Sequence, residues 1–181
     1  MQYKCKVTVI DKKCFPDYQQ KYLAVPDAGA CTFYEIGDEF IFERYGAEDT
    51  FRLAGDGTQC GEAWDCISRY IYTALQGGSI MRGHMNDDRM MIACCNSGTR
   101  PVIFKIQRLD YKVVKVLGMT GKHCASQIKK SLSAVSGVDF VTVRLDQSWA
   151  EVFVKKDAAV SDEALRMAVE QYEKYSVAGI D

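Results

Sequence analysis

Val116-Leu117-Gly118-Met119-Thr120-Gly121-Lys122-His123-Cys124-Ala125 decides the fold of the last third of this chain. An apolar stretch ends at Leu117, a glycine turn follows, and a helical pattern starts just after it. Upstream, Tyr111 to Leu117 reads as a strand, with Val113, Val114, Val116 and Leu117 apolar. Downstream, Ala125, Ile128 and Leu132 recur at helical spacing and predict a helix over about 123–134. Ser136-Gly137 turns the chain. Val141, Val143 and Leu145 alternate, as do Ala150, Val152 and Val154, and Asp146-Gln147-Ser148 between them suits a hairpin. Ser161 is an N-cap candidate, followed by Asp162 and Glu163, whose charges suit a first helical turn. Ala164, Leu165, Ala168, Val169 and Tyr172 form that helix's apolar stripe, and a last strand includes Tyr175 to Val177. The order β-α-β-β-α-β is the ferredoxin-like arrangement.

The first part reads as mainly β with one central helix. Residues 3–10 and Glu39 to Tyr45 are expected strands, and 12–31 shows no periodicity and reads as irregular. A turn is expected at Gly55-Asp56-Gly57. Ala63, Trp64, Ile67, Tyr70, Ile71, Ala74 and Leu75 predict a helix over 61–76, stopped by Gly77-Gly78. Met90 to Cys94 is an apolar run, and Pro101 opens a strand from Val102 to Leu109. The whole is expected to be an α+β protein of two small domains, 1–109 and 110–181, meeting at Leu109-Asp110-Tyr111 without a linker.

Composition excludes several function classes. The 181 residues carry a net charge of -1, and neither half hides a basic domain, so nucleic acid is not an expected partner. No apolar run approaches the length of a membrane span, and Val7 to Ile10 is too short for a signal-peptide core. The expected location is the cytoplasm, with all eight cysteines reduced. No phosphate-binding, dinucleotide-binding, zinc-protease or nucleophile-elbow motif occurs. Glu62, Asp65, Asp56 and Asp87-Asp88 form no acid/base pair with a histidine. The reading therefore favours a non-enzyme, with a cysteine-dependent enzyme as the one type these residues could supply.

The loop Gly118-Met119-Thr120-x-x-x-Cys124 resembles the metal-binding loop of the heavy-metal-associated domain family. The likeness extends through Ser136-Gly137-Val138, Val141-x-Val143-x-Leu145, Ala150-x-Val152 and the helix with Leu165, Ala168 and Val169. Family members carry Cu(I), Zn(II) or related ions between protein partners, bound by two loop cysteines. Here Gly121 stands at the first cysteine position and Cys124 at the second. The resemblance implies a soft-metal site at Cys124, with His123 and Met119 beside it. A second soft ligand must come from elsewhere, such as a protein partner, a second copy in a homodimer, glutathione or the first domain. The first domain resembles a family of small uncharacterised bacterial and archaeal proteins. That likeness rests on Cys5-Lys6-Val7-Thr8-Val9, Cys60-x-x-x-Trp64 and Ala93-Cys94-Cys95-Asn96-Ser97-Gly98-Thr99-Arg100-Pro101, and it implies no activity.

Residues 81–95 hold further soft donors, His84, Met85, Cys94 and Cys95 among them. Met90, Met91 and Cys94 lie in an apolar run, where such side chains commonly fill core space. Cys94 and Cys95 are adjacent, so in a strand they face opposite ways and disfavour joint chelation. An exposed thiol of that pair is more plausibly matched with Cys60 or Cys31 across the fold. Three readings remain open: soft-metal binding or trafficking, a metal-independent interaction or dimerisation module on a repurposed scaffold, and a thiol-redox or cysteine-dependent enzyme.

Overall fold

The computed structural model describes residues 1–45, 49–54 and 57–181, so Gly55 and Asp56 of the expected turn lie outside the described residues. The chain divides into two compact units, 3–109 and 110–181, the latter joined by Met1 and Gln2.

In the first unit, β1 (Gln2–Lys12) pairs antiparallel with β2 (Glu39–Phe42), placing Cys5 opposite Phe42. The second strand is shorter than the sequence suggests. A helix, α1 (Pro16–Tyr22), occupies part of the segment expected to be irregular. Pro16 opens it, where a missing N–H costs nothing. Its anchor is polar: buried Gln19 donates from Nε2 to the Gly29 carbonyl at 2.9 Å and accepts the Gly29 N–H at 3.0 Å. A helix held this way has no apolar stripe to announce it.

The main helix, α2 (Gly61–Leu75), buries Ala63, Ile67, Ile71 and Ala74, the side chains of one face. They pack in one core with Val7, Val9, Phe42, Phe104 and Ile106. Gly77 turns the chain at φ +74°, and Arg108 donates from one guanidinium nitrogen to the carbonyls of Gly77 and Gly78 at 2.8 Å each. The strand β3 (Met90–Cys94) pairs antiparallel with β4 (Val102–Leu117), Met90 opposite Gln107 and Cys94 opposite Ile103.

Two separate strands were expected on either side of Asp110, yet β4 is continuous through it. The reason lies in the burial phase. Val102, Phe104 and Ile106 are buried, then Leu109, Tyr111 and Val113, so the buried side shifts from even to odd positions around Arg108. A phase slip of this kind looks like a strand end in a sequence, because alternation of period two is the signal being read.

The second unit is built from the end of β4, α3 (Lys122–Ser133), β5 (Val138–Arg144), β6 (Trp149–Val154), α4 (Asp162–Glu170) and β7 (Ser176–Ile180). Its strands lie in the order β5-β6-β4-β7, all antiparallel. This is the β-α-β-β-α-β topology expected from the pattern. Ile128 and Leu132 of α3 and Leu165 and Val169 of α4 are buried with Val114, Val116, Val141, Ala150 and Val152. The Ser161 hydroxyl accepts the Ala164 N–H at 3.1 Å, the expected N-cap. Among the described residues, no helix is long and apolar enough to cross a membrane.

Candidate metal centre

The loop 118–121 joins β4 to α3, and Cys124 falls in the first turn of that helix. Gly118 is required there. Its φ is +91°, and a Cβ on it would run into the carbonyl oxygen of Lys174. The close approach brings the loop against the turn before β7, and so places Tyr175 beside Cys124. Gly121 is different. As the N-cap residue it is fully extended, a conformation open to any residue, and a Cβ there would meet no atom within 4 Å.

The helix has no side chain capping its N-terminus and no acidic residue in its first turn. The Cys124 sulfur takes that electrostatic place. Its pKa is lowered to about 6, most by a hydrogen bond from the Tyr175 hydroxyl, then by the backbone and hydroxyl of Thr120, and less by the Gly121 backbone. Thr120 Oγ1 lies 3.7 Å from Cys124 Sγ. Tyr175 also reaches Gln127 Oε1 at 3.0 Å. A phenol has one proton, so it serves Gln127 when the thiol is neutral and turns to the sulfur when that carries charge. Lys174 is drawn up in pKa, first by Tyr175 and also by charge on Cys124. The arrangement favours a partly exposed, nucleophilic and soft thiolate at neutral pH.

The other sequence-predicted residues are dispersed. His123 is exposed and borders a shallow depression with Ser126, Gln127, Lys130 and Tyr172. Met119 packs half-buried against the core of the second unit. His84 is exposed and Met85 half-buried in the loop before β3. Cys94 is exposed and borders a cavity with Cys66 and Met91, whereas Cys95 borders another with Cys31 and Cys60. The adjacent pair does face opposite ways, but the thiol that meets Cys31 and Cys60 is the half-buried one. Among the described residues, no three His, Cys, Asp or Glu side chains already stand together as an ion would need. The hydroxyl oxygens of Thr120 and Tyr175 beside the Cys124 sulfur are hard donors, and the loop's other soft donor is the Met119 thioether, which packs against the same core as Cys124.

The sequence reading missed Thr120 and Tyr175 as part of the site. Thr120 was legible, since it lies four residues before Cys124 at a helix start. Tyr175 was not, because only the antiparallel pairing of β7 with β4 returns it to the loop.

Residues 113–176 match the model of the heavy-metal-associated domain family. Two proteins named copper chaperone CopZ, from two strains of Staphylococcus epidermidis, are each 32% identical over 63 residues, which is 35% of this chain and 91% of theirs. A solved chain described as CopZ metallochaperone is 26% identical, aligned over its full length to 38% of this chain, with a TM-score of 0.35.

Proposed function

This chain belongs to the heavy-metal-associated domain family through residues 113–176, and from that premise we propose that it binds a soft metal ion through Cys124 and passes it to a protein partner. The observation that carries this reading is the position of Cys124. The resemblance gives it the second ligand position of the loop, and it stands in a helix first turn where Tyr175, then Thr120, favour the thiolate. Cu(I) suits a thiolate best, with Zn(II) as the other candidate. Copper also fits the chaperones to which the domain is similar.

One thiolate does not complete a Cu(I) site. The second ligand then comes from a partner's cysteine or from a second copy of Cys124. Such a shared site suits transfer, because the ion is held fully only in the complex. Met119, packed on the core, and His123, exposed on the helix, are flanking residues that shape access. His84, Met85, Cys94 and Cys95 serve as additional ligands only outside this loop. We take 1–109 and 110–181 as separate domains and the cytoplasm as the place of action.

Gly121 favours a second reading, a metal-independent interaction module on a repurposed scaffold. Native mass spectrometry of the reduced protein with Cu(I) or Zn(II) separates the two. The metal reading expects bound ion, alone or in a metal-linked dimer, lost in Cys124→Ala. Equal binding by Cys124→Ala removes the loop as the site, and a dimer insensitive to chelator supports the interaction module.

A further inference from the structure

Among the described residues, β3 of the first unit pairs with β4 alone, so its other side is a sheet edge. The ladder fixes which main-chain groups face outward there. The Arg108 N–H donates to the Arg89 carbonyl at 2.8 Å, and the Cys95 N–H to the Val102 carbonyl at 3.1 Å. Both pairs keep the register that sets Met90 opposite Gln107. Bonded positions alternate in an antiparallel pair. Met91 and Ala93 therefore turn their main chain to β4, whereas Met90, Ile92 and Cys94 turn theirs outward. The Met90 N–H donates to the Asp87 carbonyl at 3.1 Å. The outward N–H and C=O groups of Ile92 and Cys94 have no partner among the described residues.

The other edges are guarded. Natural edge strands carry charge, proline or a bulge that stops another strand from adding. β2 has Glu39, β5 has Asp139 and Arg144, and β7 has Gly179 beside a register shift. β3 reads Met90-Met91-Ile92-Ala93-Cys94, with no charge, proline or glycine, and its register runs without a shift.

A groove lies along this open edge. It encloses about 460 Å³ and is bordered by Cys66, Arg69 and Tyr70 of α2 and by Met91, Ala93 and Cys94 of β3. A strand added to β3 points alternate side chains into it. The one charge on its walls is Arg69, an exposed side chain that donates to the Asp65 carbonyl at 3.1 Å and meets no carboxylate among the described residues. The Asp65 carboxylate accepts from Asn96 Nδ2 at 2.9 Å instead. The groove thus suits apolar side chains and one negative charge. A second copy of β3 brings no negative charge, so a strand of different sequence fits better. We infer that β3 is a docking edge for an extended segment of a partner protein, which adds as a further strand with apolar side chains in the groove and an acidic one at Arg69. The edge lies wholly in the first unit and does not depend on Cys124.

The test selects a displayed library of random dodecapeptides on the full-length reduced protein and measures the enriched peptides, made synthetically, by titration calorimetry. Enriched sequences should alternate apolar residues and carry one acidic residue. By NMR hydrogen exchange the Ile92 and Cys94 amides should be fast in the free protein and slowed at least about tenfold by the peptide, with Met91 and Ala93 slow throughout. Cys94→Pro removes an outward N–H and no bond to β4, and should weaken binding at least about tenfold. Arg69→Glu should weaken it as much, and replacing the peptide's acidic residue by lysine should restore it. That charge exchange decides the matter if the proline variant misfolds. No enrichment, binding that leaves Ile92 and Cys94 exchange unchanged, or full affinity in Arg69→Glu overturns the docking edge. Slow exchange of those two amides in the free protein, lost on dilution as a dimer dissociates, overturns it in favour of a second copy of this chain.

Discussion

Tyr175, in the turn that precedes β7, is the residue whose hydroxyl does most to lower the Cys124 pKa, to about 6, although its proton is directed at Gln127 Oε1 3.0 Å away while the thiol is neutral. The residue that tunes the thiol therefore lies outside the loop that presents it. Gly118 makes the contact attainable, because its missing side chain lets the loop close against Lys174.

The thiol reactivity should follow from this. At pH 7 Cys124 is roughly nine-tenths thiolate, against a few per cent for an ordinary cysteine. Alkylation read by peptide mass spectrometry should label Cys124 first and Cys5 last, since burial pushes the Cys5 thiol far up. Tyr175→Phe should raise the apparent pKa of Cys124 by about one unit and cut its thiolate fraction at pH 6 about fivefold. An unchanged pH profile in Tyr175→Phe would remove the tyrosine from the site.

The same shift predicts a sign for stability against pH. The folded pKa of Cys124 lies below its unfolded value near 9.0. Its contribution is then fully present above pH 9 and declines as pH falls, to vanish below about 6. Comparing thermal unfolding of wild type and Cys124→Ser between pH 5 and 9 checks this; the gap between them should widen with pH.

Placing a second thiol at position 121 of the loop should be structurally easy. Position 121 is extended and a Cβ there meets nothing within 4 Å. Gly121→Cys should unfold within about 0.5 kcal/mol of wild type, as surface substitutions do. Its Cu(I) affinity should rise on the order of a hundredfold, because the second thiolate is held at high effective concentration. Competition with a Cu(I) chelator measures it, and an unchanged affinity would mean that Cys124 does not face the ion.

Gly118→Ala should do the opposite. The positive φ and the clash with the Lys174 carbonyl should cost about 1–3 kcal/mol, measured by thermal or denaturant unfolding. The displaced Tyr175 should also let the Cys124 pKa rise, which the alkylation profile would detect.

The cap of α4 gives a test of the fold apart from the site. Ser161→Ala leaves the Ala164 N–H without its acceptor and should destabilise by about 1 kcal/mol. Metal binding should be unaffected. A loss above about 2 kcal/mol would mean that Ser161 has a further structural role.

Much of the second unit was legible because its signals are local. Ile128 and Leu132 share a helix face, Ala150 and Val152 follow strand alternation, and Ser161 announces a helix start; each depends on residues a few positions apart. The first unit hid more. Gln19 holds α1 through a loop carbonyl and amide, which no apolar pattern reveals. The change of buried parity around Arg108 made one strand read as two.

By itself the sequence determined the order of elements from Tyr111 onward and the helix start that presents Cys124 just after Gly121. Only the tertiary structure decided which groups act on that sulfur and which cysteines share a cavity. Periodicity and capping arise from neighbours along the chain. Tyr175 beside Cys124, and Cys95 facing Cys31 and Cys60, arise from strand pairing and loop closure across long separations, where nothing in residue spacing records the contact.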